Sequence, residues 1–309
     1  VSVLFTFPGQ GAQRAGMLHR LPDHPEAART LADTRQALGQ DPLQLDTPAA
    51  LASSMAVQIC LLVAGVAMAR TLAALGGRPG MVAGLSIGAY PAAVSAGALD
   101  YPDAVRLVAR RGELMDSAYP SGYGMAAVVG LNQQQLEPLI AQVHAAASPV
   151  YLANLNAAQQ FVIAGADKAL DAVMQRALAH GASKAERLAV SVPSHCELFD
   201  DAAAQMRAAF TGIEVRRPHI PFLSSSAARP LYDPARIADD LANNMARQVH
   251  WADTARLAWE RGARLAVEMP SGSVLTGLTA PVFTEGHAIA CENTAIETVL
   301  ALIKREATA

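Results

Sequence analysis

Cysteine, aromatic residues and a surplus of charge of either sign are all scarce in this 309-residue chain. The three cysteines, Cys60, Cys196 and Cys291, are odd in number and widely spaced. That excludes a disulfide framework and any CxxC-type metal site, and reduced structural thiols are expected. Lys and Arg number 24 against 27 Asp and Glu, a net charge of −3, with no long same-sign run. Such a balance carries no electrostatic footprint for nucleic acid or for an anionic membrane surface. The longest apolar run, Ile59 to Ala69, is bounded by Gln58 and Arg70. It falls well short of the roughly 20 residues of a membrane-spanning helix and reads as a buried core helix. The first residues, Val1 to Phe7, have no basic region ahead of the apolar stretch and no small-residue cleavage pattern, so no signal peptide is expected and the default location is cytoplasmic. Nucleotide signatures are missing as well. Pro8-Gly9-Gln10-Gly11-Ala12-Gln13-Arg14 fails G-x-G-x-x-G at Arg14, and no G-x-x-x-x-G-K occurs.

What is present is a chain that is 52% hydrophobic and 17% charged, the composition of a compact globular protein of one large domain or two modest ones. Apolar runs of strand length alternate with segments of helical period, which argues for an α/β fold. Val1 to Phe7 reads as a strand stopped by Pro8-Gly9, and Ser53 to Leu75 as a long apolar helix ended by Gly76-Gly77. Met81 to Gly84 and Leu265 to Glu268 read as strands, and Ile87 to Ala96 and Asp103 to Ala118 as helices. The middle has another rhythm. Strands are expected at Met125 to Gly130, Val150 to Asn154, Phe161 to Ala164 and Ala185 to Val192, with helices at Gln133 to Ala146 and Lys168 to His180. This βαββαβ order is that of a ferredoxin-like unit, so residues 124–192 are expected to form a small subdomain inserted in a larger α/β domain made of 1–123 and 193–309.

Gly84-Leu85-Ser86-Ile87-Gly88 matches G-x-S-x-G between an expected strand and an expected helix. A sharp strand-to-helix turn exposes the serine oxygen there, and the helix start points free N–H groups at an oxyanion forming beside it. A chance match in a chain rich in Ala, Gly and Ser is the plain alternative. Arg111 is picked out by helical geometry, since Leu107, Val108, Leu114 and Met115 lie three and four positions away. Its guanidinium therefore projects from the buried face, while Arg106, Arg110 and Glu113 occupy the solvated one. A buried guanidinium requires an anion, either a ligand carboxylate or an internal Asp or Glu. An activated serine usually needs a histidine base. Of the eight histidines His195 stands out, following an alternating strand and Pro193 at a subdomain junction, with His250 and His287 as rivals. Gln10 offers a side-chain amide donor in a glycine-rich turn, which taken alone is also an ordinary loop.

Taken in order, Phe7-Pro8-Gly9-Gln10-Gly11-Ala12-Gln13, the Ser86 elbow, Arg111-Gly112 with Met115, Ser191-Val192-Pro193-Ser194-His195-Cys196, and Glu268 followed by Gly272 to Leu278 resemble the malonyl-CoA:acyl carrier protein transacylase family. The resemblance runs nearly end to end. It implies a hydrolase-like α/β domain with an inserted ferredoxin-like subdomain. It also implies a malonyl-serine on Ser86, His195 as base and then acid without an obligatory aspartate, and an oxyanion hole from Gln10 and the Ile87 N–H. Arg111 would meet the free malonyl carboxylate. The implied reaction is ping-pong, with malonyl-CoA as a substrate, no permanently bound cofactor, and an acyl carrier protein as acceptor. Leu85 and Ala89 depart from the family's G-H-S-x-G-E pattern, and Asn244 stands where its members have a glutamine seven residues before a tryptophan, here Trp251. In the family that position orients the dyad histidine, largely through main-chain carbonyls. A G-L-S-I-G-A elbow resembles the malonyl transferase (epsilon) subunit of malonate decarboxylase, whose acceptor is that enzyme's own carrier subunit. Fatty acid or polyketide synthesis, a serine thioesterase or esterase with His287 as base, and a non-catalytic interaction protein are the competing readings.

Overall fold

A computed structural model describes residues 2–119, 121–190 and 192–308. Val1 of the expected first strand and Ser191 of the His195 motif lie outside the described residues. The chain begins with β1 (Ser2–Phe7), α1 (Pro25–Leu38), α2 (Ser54–Ala74), β2 (Met81–Gly84), α3 (Ala89–Ser95) and α4 (Tyr101–Ala118). A second group follows, comprising β3 (Tyr123–Val129), α5 (Gln133–Val143), β4 (Val150–Ala157), β5 (Gln160–Ala166), α6 (Asp167–Ala179) and β6 (Lys184–Arg187). The remainder is α7 (Asp200–Ala209), β7 (Phe222–Ser224), β8 (Arg229–Leu231), α8 (Pro234–Asn243), α9 (Trp251–Glu260), β9 (Ala263–Glu268), α10 (Val274–Thr279), β10 (His287–Ala290) and α11 (Ile296–Thr308).

The large sheet has the order β10-β9-β1-β2-β7-β8 and is parallel except for the β7–β8 hairpin at one edge. Its central strands β1 and β2 are buried on both faces, as parallel strands between helical layers must be. The core of one layer is α2, hydrophobic all round and with 16 of its 21 residues buried, so it has no solvent face to speak of. Three carboxylate contacts fix its start. Asp116 at the end of α4 accepts from the Ser54 and Met55 N–H groups at 2.7 and 3.2 Å and from the Ser53 hydroxyl at 2.7 Å. Gly112 lets α4 lie close to α2, because a Cβ there would stand 2.3 Å from Met55 Cα.

The second sheet, β4-β5-β3-β6, is antiparallel throughout. Alternation sorts its residues by face. Ala126, Val128, Phe161 and Ile163 pack under α5 and α6 in a core of their own, while Met125, Val162 and Ala164 face the other way toward Cys196. β6 is shorter than the expected Ala185–Val192 strand. After Arg187 the Leu188 N–H still reaches β3, at Met125 O, and Leu188 to Val190 leave the sheet to line a cavity. The Ile87–Ala96 helix is likewise divided into a 3-10 turn at Ser86–Gly88 and α3.

Candidate active site

Glycine is required on both sides of Ser86 for steric reasons. A Cβ on Gly84 would lie 2.0 Å from the Gly88 carbonyl, and one on Gly88 would lie 2.1 Å from Phe7 O. The turn can therefore fold back on itself and press against the end of β1. Gly9 is equally confined, with its Cβ position 2.8 Å from Leu85 Cδ2 and 3.5 Å from Ser86 Cβ, which brings the Gln10 loop alongside the serine. Ser86 itself is left-handed, at φ 56°, a strained setting for a residue with a side chain. Ile87 is the second residue of the 3-10 turn, so its N–H has no acceptor within that turn.

The Ser86 hydroxyl donates to His195 Nε2 at 2.9 Å. On the far side of the ring Nδ1 lies 2.8 Å from Asn244 O and 3.0 Å from Arg247 O. Two carbonyls can only accept, so Nδ1 carries the proton and Nε2 offers its lone pair to the serine. The His195 N–H donates to Met245 O at 2.6 Å, and the residue sits at φ 67°. The 3-10 turn Asn244–Ala246 that follows α8 supplies two of these three carbonyls. Burial first, and the neighbouring Arg111 charge second, together hold the His195 pKa down at about 4. The imidazole is therefore neutral at pH 7.

Arg111 is completely buried, and among the described residues no carboxylate pairs with it. The internal salt bridge left open by the sequence is absent. Nη1 instead donates to Gln58 Oε1 at 2.6 Å and contacts Met115 Sδ at 3.2 Å, while Nη2 donates to Ser86 Oγ at 3.2 Å and to Asn244 Oδ1 at 3.1 Å. Nε has no partner. Burial lowers the Arg111 pKa to about 10, so the guanidinium stays charged at neutral pH.

Ser86 and His195 open onto a cavity of about 320 Å3 between the two sheets. Pro8 to Gln13 and Leu85 form one wall, and Met125, Ala127, Asn154, Asn156 and Val162 of the small sheet form the other. Gln10 lines it with a buried, partnerless Oε1, its Nε2 lying 3.5 Å from Ser54 Oγ. The start of α10 closes one end. Glu268 accepts from the Leu275 and Thr276 N–H groups at 3.0 and 2.6 Å and from the Thr276 hydroxyl at 2.7 Å, which fixes Leu275 and Leu278 at the cavity rim. Arg111 lies behind Ser86 rather than in the open cavity.

A scan against family models matches the acyl transferase domain over residues 4–309. The malonyl CoA-acyl carrier protein transacylase of Salmonella typhimurium is 36% identical over 281 residues, spanning 89% of this chain and 91% of that one. The chain belongs to the malonyl-CoA:acyl carrier protein transacylase family. The transacylase of Bacillus subtilis strain 168 is 31% identical over 98% of both chains. Among solved structures the Coxiella burnetii transacylase superposes with a TM-score of 0.92 at 34% identity, covering 98% of this chain and 97% of that one. A malonyl-transacylase in complex with a type II PKS acyl-carrier protein superposes with the same score at 33% identity, over 99% and 100% of the two chains. The large α/β domain with a separate small antiparallel sheet is therefore this transacylase family's fold.

Within that fold Ser86, His195, Arg111 and Asn244 form one hydrogen-bonded group, with Gln10 and Ile87 beside it. His250 and His287 stand elsewhere, the first preceding α9 and the second exposed on the edge strand β10. Sequence reasoning missed Gln58 and the Arg247 carbonyl. Gln58 did leave a signal, as the one polar side chain between Ser54 and Arg70.

Proposed function

We propose that this protein moves a malonyl group from malonyl-CoA to the prosthetic-group thiol of an acyl carrier protein through an ester on Ser86. One observation carries the reading: the Ser86 oxygen is shared between a neutral histidine and a buried arginine that has no carboxylate partner among the described residues. Neutral His195 takes the hydroxyl proton as Oγ attacks the thioester carbon. The oxyanion so formed is received by the Ile87 N–H and the Gln10 amide. Collapse breaks the C–S bond, and the departing sulfur of CoA takes the proton back from His195. The carrier thiol then gives its proton to His195 and attacks the ester carbonyl, and Oγ leaves with that proton. Arg111 holds the free carboxylate throughout, its charge matched by the substrate's.

Intact mass after mixing with malonyl-CoA or acetyl-CoA tests this. A stable malonyl adduct that a carrier thiol then removes is the expected result. CoA release without an adduct would replace transfer by thioester hydrolysis, and no reaction would leave an inert binding module.

The acceptor is proposed more finely as the carrier subunit of malonate decarboxylase, in the cytoplasm. Leu85 and Ala89 support it, because apolar side chains there remove an imidazole and a carboxylate from the surroundings of the elbow. With labelled malonyl-CoA and both carriers in one assay, a higher kcat/KM for the decarboxylase carrier is expected. Preference for a fatty-acid or polyketide carrier would keep the chemistry and remove this assignment.

A further inference from the structure

Asn244 is 3% exposed, and three of its hydrogen bonds reach His195, Arg111 and Ser86. Its main-chain carbonyl accepts from His195 Nδ1, its Oδ1 accepts from Arg111 Nη2, and its Nδ2 donates to Ser86 O at 3.2 Å. The first contact belongs to the backbone and survives any side-chain change. The other two belong to the amide alone. Around Arg111 the donors are unevenly engaged. Gln58 and Met115 occupy Nη1, Ser86 and Asn244 share Nη2, and the buried Nε–H has no acceptor. A carboxylate needs two parallel N–H donors, and the edge with a donor to spare is Nε with Nη2.

We propose that the Asn244 side chain is a positioning, specificity-determining group: it holds the Arg111 guanidinium against the Ser86 backbone so that the Nε–Nη2 edge receives the free carboxylate of a malonyl-type acyl group. The inference rests on the malonyl transfer proposed above and adds to it the residue that aims the arginine. A neutral amide suits this task. It can accept from Nη2 without satisfying the guanidinium's charge, which stays available to the substrate. An aspartate of the same shape would satisfy that charge and close the site to a second carboxylate.

The test compares kcat/KM for malonyl-CoA and acetyl-CoA in the full chain, wild type, Asn244→Ala and Asn244→Asp, with melting temperature recorded for each. Wild type is measured first. A marked preference for malonyl is expected, and its absence would overturn the malonyl reading together with this one. In Asn244→Ala the malonyl-to-acetyl ratio is expected to fall about tenfold, the scale of one hydrogen bond to a charged group, mainly through a higher KM for malonyl-CoA. The acid limb of the pH–rate profile should stay in place because the carbonyl on His195 remains. Asn244→Asp is expected to lose more of the ratio than Asn244→Ala. A packing role predicts the reverse order, since aspartate is the closer match in shape. If wild type prefers malonyl but both variants lose the two activities by equal factors, or if Asn244→Asp tracks wild type, Asn244 does not aim Arg111.

Discussion

The two walls of the cleft are built differently. On the large-sheet side a permanent charge is buried at Arg111, and Ser86 and His195 both hold left-handed backbone at φ 56° and 67°. On the small-sheet side the cavity is lined by Met125, Ala127, Asn154, Asn156, Gln160 and Val162, with no charged side chain among them. Asn154 and Asn156 also keep a buried Oδ1 without a partner. Strain and charge are held where neighbours over-determine them, by close glycine contacts and a hydrogen-bonded arginine. In the reaction proposed above, reactivity belongs to one wall and the other is a neutral surface.

Substitutions can break or sharpen that contrast. Ser86→Ala should abolish the acyl-enzyme seen by intact mass and leave the melting temperature near wild type, because one hydroxyl at a cavity wall carries little packing. An adduct persisting in that variant would move the nucleophile elsewhere. His195→Ala should slow transfer by about 10² to 10⁴-fold, the usual scale for a lost general base. Near-normal turnover would return His250 and His287 to consideration.

Arg111→Ala should reduce malonyl transfer more than acetyl transfer, by roughly tenfold to a hundredfold, as expected for a charge-assisted contact of about 1.5 to 3 kcal/mol. It should also move the pH profile. In the proposed mechanism neutral His195 is the active form, so the wild-type rate is expected to rise with pH through about 4 and to be flat near neutrality. Removing the Arg111 charge deletes the second of the two causes that hold this pKa down, so the acid limb should shift to higher pH. The smallest effect is expected on the other wall. Asn156→Ala deletes an acceptor that has no partner, so stability should change by no more than about 1 kcal/mol and the malonyl-to-acetyl ratio should hold. A tenfold change in that ratio would mean that both walls read the acyl group.

Local chemistry made some elements easy to find. Pro8-Gly9 ends β1, the apolar stretch before Gly76 is α2, and Arg111 lies on the buried face of α4 that its neighbours define. The two-residue turn Ala158-Gln159 joins strands that periodicity had bounded within three residues at the ends nearest it. β7, β8 and β10, of three or four residues, were not legible, because so short a run shows no period, whereas the equally short β2 was marked by the G-x-S-x-G turn that follows it. Helices α1, α7 and α8 were passed over as well. Alanine-rich and charged, with few large apolar residues, they owe their place to packing against neighbours. In the site, side chains with distinctive chemistry were found. Contacts made by backbone, such as the carbonyls of Arg247 and Met245 on His195, leave no trace in residue type. The Asn244 side chain illustrates the converse. Its identity looked like a departure, and only three-dimensional placement joins it to Arg111 and Ser86.

Behind His195 stand two peptide carbonyls, and among the described residues no carboxylate bonds to the ring. No fixed negative charge holds a proton on the imidazole once it has been taken, so the proton returns readily to whichever sulfur is departing. For the transfer proposed here, the bond broken at the start and the bond formed at the end are both thioesters, and little free energy separates them. Such a catalyst equilibrates acyl groups between two thiol pools and imposes no direction of its own. Net flow then follows the relative abundance of CoA and carrier, and irreversibility has to come from whatever reaction consumes the loaded carrier.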